Sequence, residues 1–168
     1  MDGSELKAAQ APLKQRYRDD PAAAVVTLHA RGAISDGVTC SVETGQALVK
    51  AGLHPATGGA AMGVCSGDML LQALVACAGV TLNAVATSLG FEVRDARLHA
   101  EGDLDFRGTL GVSKEAPVGF SAIRLQIEVD GALNEEQMAT LVKLTERYCV
   151  VFQTLKGTPS LAVTSRRV

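Results

Sequence analysis

Cys65-Ser66-Gly67-Asp68-Met69-Leu70-Leu71-Gln72-Ala73-Leu74-Val75-Ala76-Cys77-Ala78-Gly79-Val80-Thr81-Leu82 is the stretch on which the reading of this 168-residue chain turns. From Met69 to Leu82 it is apolar with Gln72 inside, and Asp68 and Asn83 bracket the run. A membrane span needs about 20 apolar residues, so a buried core helix is the better reading. Ser66 suits an N-cap, Asp68 places a negative charge in the first turn, and Gly90 supplies a stop. The pattern predicts a helix from about residue 67 to residue 89. It is apolar nearly all round and therefore central to the fold.

Working outward, the length fits one domain spanning residues 1–168, with residues 1–20 as a polar N-terminal arm of some helical character near Leu13 to Tyr17. Lys plus Arg number 16 and Asp plus Glu 18, a net charge of −2 with no block of one sign, which disfavours nucleic acid and anionic membrane as partners. Met1-Asp2-Gly3-Ser4-Glu5 lacks the basic-then-apolar order of a signal peptide, so a cytoplasmic protein is expected. In that compartment Cys40, Cys65, Cys77 and Cys149 start as thiols. They form no C-x-x-C pair and have no histidine at ligand spacing, so neither a metal nor another cofactor is expected.

Ala24 to Ala30 is a strand candidate, and Val38 to Glu43 alternates cleanly after the turn chemistry of Ser35-Asp36-Gly37. Gly52 to Gly63 reads as a Gly- and Pro-rich loop. Glu92 to Asp105 is strand-like, and Ile123, Leu125, Ile127 and Val129 alternate with charged or polar residues as a half-buried strand should. Asn134-Glu135-Glu136-Gln137 opens a second helix as a capping-box variant, with Met138, Leu141, Thr145, Tyr148, Cys149 and Phe152 at helical spacing. Leu161 to Ser165 is expected as a last strand. Runs of strands separated by single helices predict an α+β fold with helices packed on one face of a sheet.

Two chemistries compete for the thiols. Cys77 and Cys149 fall on the apolar sides of the two predicted helices, so helix packing would bring the sulfurs together as a redox pair. The plainer alternative is that both fill core space, as free cysteine often does. Gly63-Val64-Cys65-Ser66-Gly67 has the form of a nucleophile elbow at a helix start, where a thiol pKa falls, and so suggests a Cys65-dependent hydrolase. The loop before Gly63 and the chain length do not supply the central strand and large sheet an elbow needs. A Cys65–Cys77 disulfide is excluded by twelve residues of helix, about 18 Å of rise. Cys40 reads as a strand core residue, and His54 lies on the polar loop.

The run from Cys65 to Leu82, the Gly-rich loop before it, the Gly-Asp-Met-Leu-Leu opening, the small residues around Cys77 and a second helix bearing Cys149 resemble the OsmC/Ohr family. These are the osmotically inducible and organic-hydroperoxide-resistance proteins, and the likeness covers about Leu28 to Val168. The resemblance implies an antiparallel sheet with two long central helices in an intertwined homodimer, with the cysteine sites at the subunit interface. It further implies a thiol-dependent peroxidase acting on organic hydroperoxides in oxidative-stress defence. Cys77 would attack the peroxide, Cys149 would resolve the sulfenic acid, and an external thiol or lipoyl-type reductant would restore the pair. Family members carry a glutamate ten residues before the attacking cysteine. Here that position is Gly67, and the nearest carboxylate, Asp68, is the third candidate catalytic residue, although it lies about 180° around a regular helix from Cys77 and equally suits an N-terminal helix charge. The family's activating arginine has no clean counterpart: Arg31 follows the first strand candidate, and Arg16 and Arg18 lie in the N-terminal arm. Without a nearby cation, burial is expected to raise the Cys77 pKa. The alternative reading is a non-catalytic dimer of the same fold that binds a small hydrophobic ligand.

Overall fold

The computed structural model describes residues 2–5, 8, 10, 11, 15, 19, 31–35, 39–43, 48–52, 54–57, 63–111 and 113–167. Four short strands, β1 (Arg31–Ser35), β2 (Thr39–Glu43), β3 (Leu48–Gly52) and β4 (Val64–Cys65), lead into the helix α1 (Ser66–Leu89). A long hairpin of β5 (Val93–Leu104) and β6 (Phe120–Gly131) follows, with the single-turn helix α2 (Phe106–Thr109) in its connection. Helices α3 (Glu135–Tyr148) and α4 (Val150–Lys156) complete the order. The short strands form a sheet in sequence order, antiparallel except for β3 with β4, and β5–β6 forms a separate antiparallel pair.

The hairpin positions everything else. Both its strands alternate between half-buried and exposed residues, interrupted once near each end where the register shifts, between Val93 and Asp95 and between Asp103 and Leu104. A bulge of this kind keeps the apolar set on one face while the strand twists. The outer face carries exposed ion pairs, Arg94 with Asp130 and Arg124 with Glu101 and Asp103. Pairs so wet contribute little stability, and their role is to keep that face in water.

Against the inner face lies α1. Its buried residues, Leu74, Ala78, Leu82 and Ala86, recur every fourth position and form one stripe. Leu74 and Ala78 pack with Leu98, Ala100, Ile123 and Leu125, while Leu82 and Ala86 pack with Ile127, Val129 and Leu141 of α3. The helix ends as Gly90 adopts φ 70°, and the Phe91 N–H reaches back to the Ala86 carbonyl at 2.9 Å. The expected capping box opens α3: the Asn134 side chain accepts the Gln137 N–H at 2.8 Å, and the Gln137 side chain accepts the Asn134 N–H at 3.0 Å.

Several expectations are corrected. Cys65, not Ser66, is the N-cap of α1, and its side chain makes no capping bond. β3 was not anticipated. The first hairpin pairs Thr39–Glu43 with Arg31–Ser35, and the strand expected at residues 24–30 lies outside the described residues, as does most of the expected helix at 13–17. The second helix is two helices, broken at Cys149. Residues 161–165 form no strand within this chain, and Leu161 and Val163 stand 88% and 94% exposed. Finally, α1 is long and apolar enough by length and composition to cross a membrane, yet only four of its 24 residues are buried here.

Where β5 and β6 face each other, the Phe120 ring lies against Gly102 so closely that a Cβ there would come 2.5 Å from it. Gly102→Val is therefore expected to displace Phe120 and to destabilise the fold by about 1–3 kcal/mol, the cost of overpacking, measured as a lowered denaturation midpoint. A midpoint equal to that of the parent chain would show that the ring is not confined.

Candidate thiol site

Cys149 leaves the helical region, with φ −70° and ψ 108°, and serves two helices at once. Its N–H donates to the Thr145 carbonyl at 2.9 Å, closing α3, and its carbonyl accepts the Gln153 N–H at 2.9 Å, opening α4. Its Sγ accepts the Phe152 N–H at 3.5 Å. Helix resumes at once, with Val150-Val151 in the first turn of α4. This change of direction turns the first amides of α4 toward α1.

Cys77 lies there. Half-buried, it packs against the cluster of Leu74, Ala78 and the fully buried Cys149. Burial alone would raise its pKa. The N–H groups of Val151 and Val150 and the Cys149 side chain favour the thiolate and hold the Cys77 pKa below that of an ordinary thiol, while the Thr81 hydroxyl donates to the Cys77 carbonyl at 2.8 Å. Cys149 moves the other way: burial raises its pKa, the neighbouring Cys77 raises it further, and the Phe152 N–H opposes only in part. Of the two thiols, Cys77 is thus the more acidic. The expectation that burial would raise the Cys77 pKa is corrected, because peptide N–H groups present the positive ends of their dipoles to the sulfur. Both cysteines and Cys65 are free thiols.

The other candidates gather elsewhere. Asp68, nine residues before Cys77 and so about 13 Å away along the helix axis, lines a cavity of about 370 Å³ with His54, Cys65, Gly67, Phe106 and Phe120. Cys77 is not among the lining residues. His54 Nδ1 accepts the Ala56 N–H at 3.1 Å, and its ring stacks on Phe106 at 4.9 Å. The neutral imidazole then carries its proton on Nε2 and has no lone pair left to take the Cys65 proton. That weighs against the elbow-type hydrolase. Gly67 is walled in: a Cβ there would meet the Phe120 ring at 3.3 Å and Cys65 Sγ at 3.6 Å. Arg16 and Arg18 lie outside the described residues, and so does the side chain of Arg31. Among the described residues no three His, Cys, Asp or Glu side chains are grouped as metal ligands would be. The features that sequence reasoning missed are the Val150 and Val151 amides, and helical spacing that continues across Cys149 gave no signal of them.

Alkylation across a pH series, read by mass spectrometry of each cysteine peptide, is expected to give a midpoint for Cys77 below the ordinary thiol value and one for Cys149 above it. Because folding depresses the Cys77 pKa, the stability linked to it is present above the unfolded thiol's pKa and is lost as pH falls through the folded one.

Residues 58–164 match the family model described as OsmC-like protein. No curated protein sequence matches the chain. Among solved structures, an OsmC-like protein from Mycoplasma pneumoniae superposes with a TM-score of 0.68 at 16% identity, covering 79% of this chain and 89% of that one. An organic hydroperoxide resistance protein OsmC from Legionella pneumophila gives 0.63 at 18% identity, covering 80% and 92%. An organic hydroperoxide resistance protein from Elizabethkingia anophelis gives 0.64 at 16%, covering 80% and 91%. The family match extends over well more than half of the residues and takes in α1, the β5–β6 hairpin, α3 and α4, so the chain belongs to the family of OsmC-like proteins.

Proposed function

We propose that this protein is a thiol-dependent peroxidase that reduces organic hydroperoxides through Cys77 and Cys149 in a peroxide-defence role. The observation that carries the reading is the packing of Cys77 against the buried Cys149 at the break between α3 and α4, where backbone N–H groups lower the Cys77 pKa. The Cys77 thiolate attacks the distal peroxide oxygen, the O–O bond breaks, and the alkoxide leaves as the alcohol after taking a proton, with Cys77 left as sulfenic acid. Cys149 then attacks that sulfur, water leaves, and a disulfide forms. An external dithiol, of lipoyl type or another small thiol, takes up the oxidising equivalents and restores both thiols. The family's glutamate position is Gly67 and Asp68 lines another cavity, so this reading assigns no step to a carboxylate.

A homodimer accompanies this reading. α1 is apolar but mostly uncovered, with Val80 74% exposed three residues from Cys77, and Tyr148 and Val150 beside Cys149 are exposed as well. Water-facing apolar surface around a reactive thiol calls for a cover, and a second copy of the chain supplies one. Cytoplasmic residence suits a site that needs reduced thiols. The second reading, a dimer that binds a hydrophobic ligand without turnover, rests on the groove of about 300 Å³ between β6 and α4, lined by Phe120, Ile123, Leu125, Phe152 and Leu155 over Leu74.

The deciding experiment titrates free thiols before and after one equivalent of cumene hydroperoxide and maps any disulfide. A Cys77–Cys149 bond, lost in Cys77→Ser, is expected, with Cys149→Ser stopping at a trappable sulfenic acid. Unreacted thiols in the parent protein would reject the peroxidase and leave the ligand-binding dimer. Sedimentation is expected to give a dimer that Val80→Asp weakens at least tenfold, the cost of burying an unpaired charge.

A further inference from the structure

One aromatic ring stands between two hollows. Phe120, the first residue of β6, lines the groove of about 300 Å³ between β6 and α4 and also the cavity of about 370 Å³ at the start of α1. Among the described residues it alone lines both. Two glycines hold the ring in place. A Cβ on Gly102 would come 2.5 Å from its Cε1 and one on Gly67 would come 3.3 Å from its Cζ, so the ring reaches from β6 across β5 to the first turn of α1. The two hollows differ in kind. Leu74, Ile123, Leu125 and Phe152 wall the groove, and the same side chains belong to the cluster that holds Cys77 and Cys149. The cavity beyond the ring mixes Leu71, Leu104 and Phe106 with the polar groups of His54 and Asp68.

We propose that Phe120 is a specificity-determining residue: its ring closes the far end of the groove and so sets the longest alkyl chain that can be buried beside the thiol pair. As a statement about substrates this rests on the peroxidase reading, whereas as a statement about what the groove accepts it stands on shape alone. An alkyl hydroperoxide whose O–O end meets Cys77 has the apolar groove beside it to receive its chain. A methylene fills about as much space as a water molecule, roughly 30 Å³, so the groove takes a chain of about ten carbons. Up to that length each methylene buried strengthens binding about fourfold. Beyond it the chain meets the ring and must turn out into water, where further methylenes bury nothing. The favoured substrates are therefore hydroperoxides of medium chain length. With a smaller side chain at position 120, a longer chain runs on toward Leu71, Leu104 and Phe106.

Binding of straight-chain primary alkanols from butanol to tetradecanol to the reduced full chain tests this, read as protection of Cys77 from iodoacetamide by mass spectrometry. Hydroperoxides of the same chain lengths are compared in parallel by kcat/KM. In the parent protein protection is expected to strengthen about fourfold per methylene up to about ten carbons and then to level off. Phe120→Ala should let dodecanol and tetradecanol continue the rise. Phe120→Leu, which keeps more of the packing, should do so in part, and it decides the matter if the alanine variant fails to fold. Phe106→Ala enlarges only the cavity beyond the ring and should leave the levelling point where it is. The same levelling point in the parent and in the Phe120 variants would overturn the partition. So would protection that ignores chain length, or an equal shift in Phe106→Ala. A protein inert to hydroperoxides whose levelling point moves with residue 120 would keep the partition and remove only the peroxidase, and turnover without any dependence on chain length would do the reverse.

Discussion

The packing of one stripe of α1 on the inner face of the β5–β6 hairpin is the constraint from which the remaining geometry follows. Leu74, Ala78, Leu82 and Ala86 face the sheet and fix the rotation of the helix about its axis. Cys77 then has no freedom in where it points. One residue back from Ala78, it is turned about 100° from the centre of that stripe, out of the sheet contact and toward the α3–α4 junction. Alanines at two of the four stripe positions keep the helix close to the sheet, and the larger Leu74 and Leu82 fill the spaces between.

The electrostatics of the thiols follow from the same placement. A buried thiolate needs compensation, and a cation is the usual source. Here it comes from backbone, because the chain breaks at Cys149 and turns the first amides of α4 onto Cys77. Peptide dipoles bring no side-chain entropy cost and no competing ion pair. They depend on the position of the first turn of a short helix.

Much of this was legible in the residues. The alternation of Ile123, Leu125, Ile127 and Val129 located the half-buried strand, the apolar run after Asp68 located the central helix, and Asn134 with Gln137 located the start of α3. The adjacency of Cys77 and Cys149 followed from their apolar positions once helices were assumed to pack. The break at Cys149 was hidden because Leu141, Thr145, Tyr148 and Phe152 keep helical spacing across it, and periodicity reports a face rather than the continuity of a hydrogen-bond ladder. β3 was missed because Leu48–Gly52 is short and sits beside a Gly- and Ala-rich loop. Residues 161–165 alternate as a strand would, but alternation says nothing about where a pairing edge is to be found.

The two faces of the long hairpin answer to different demands. Inward positions such as Leu98, Ile123 and Leu125 must match the volume of α1, and Gly102 must leave room for an aromatic ring. Outward positions need only remain polar, since Arg94, Asp130, Arg124 and Asp103 contribute solvation rather than fit. A slip of one residue would exchange the two sets and bury the charges, so alignment is preserved even as the outward residues change freely. Substitution on such a sheet is therefore tolerated unequally, freely on the wet face and narrowly on the face that meets α1.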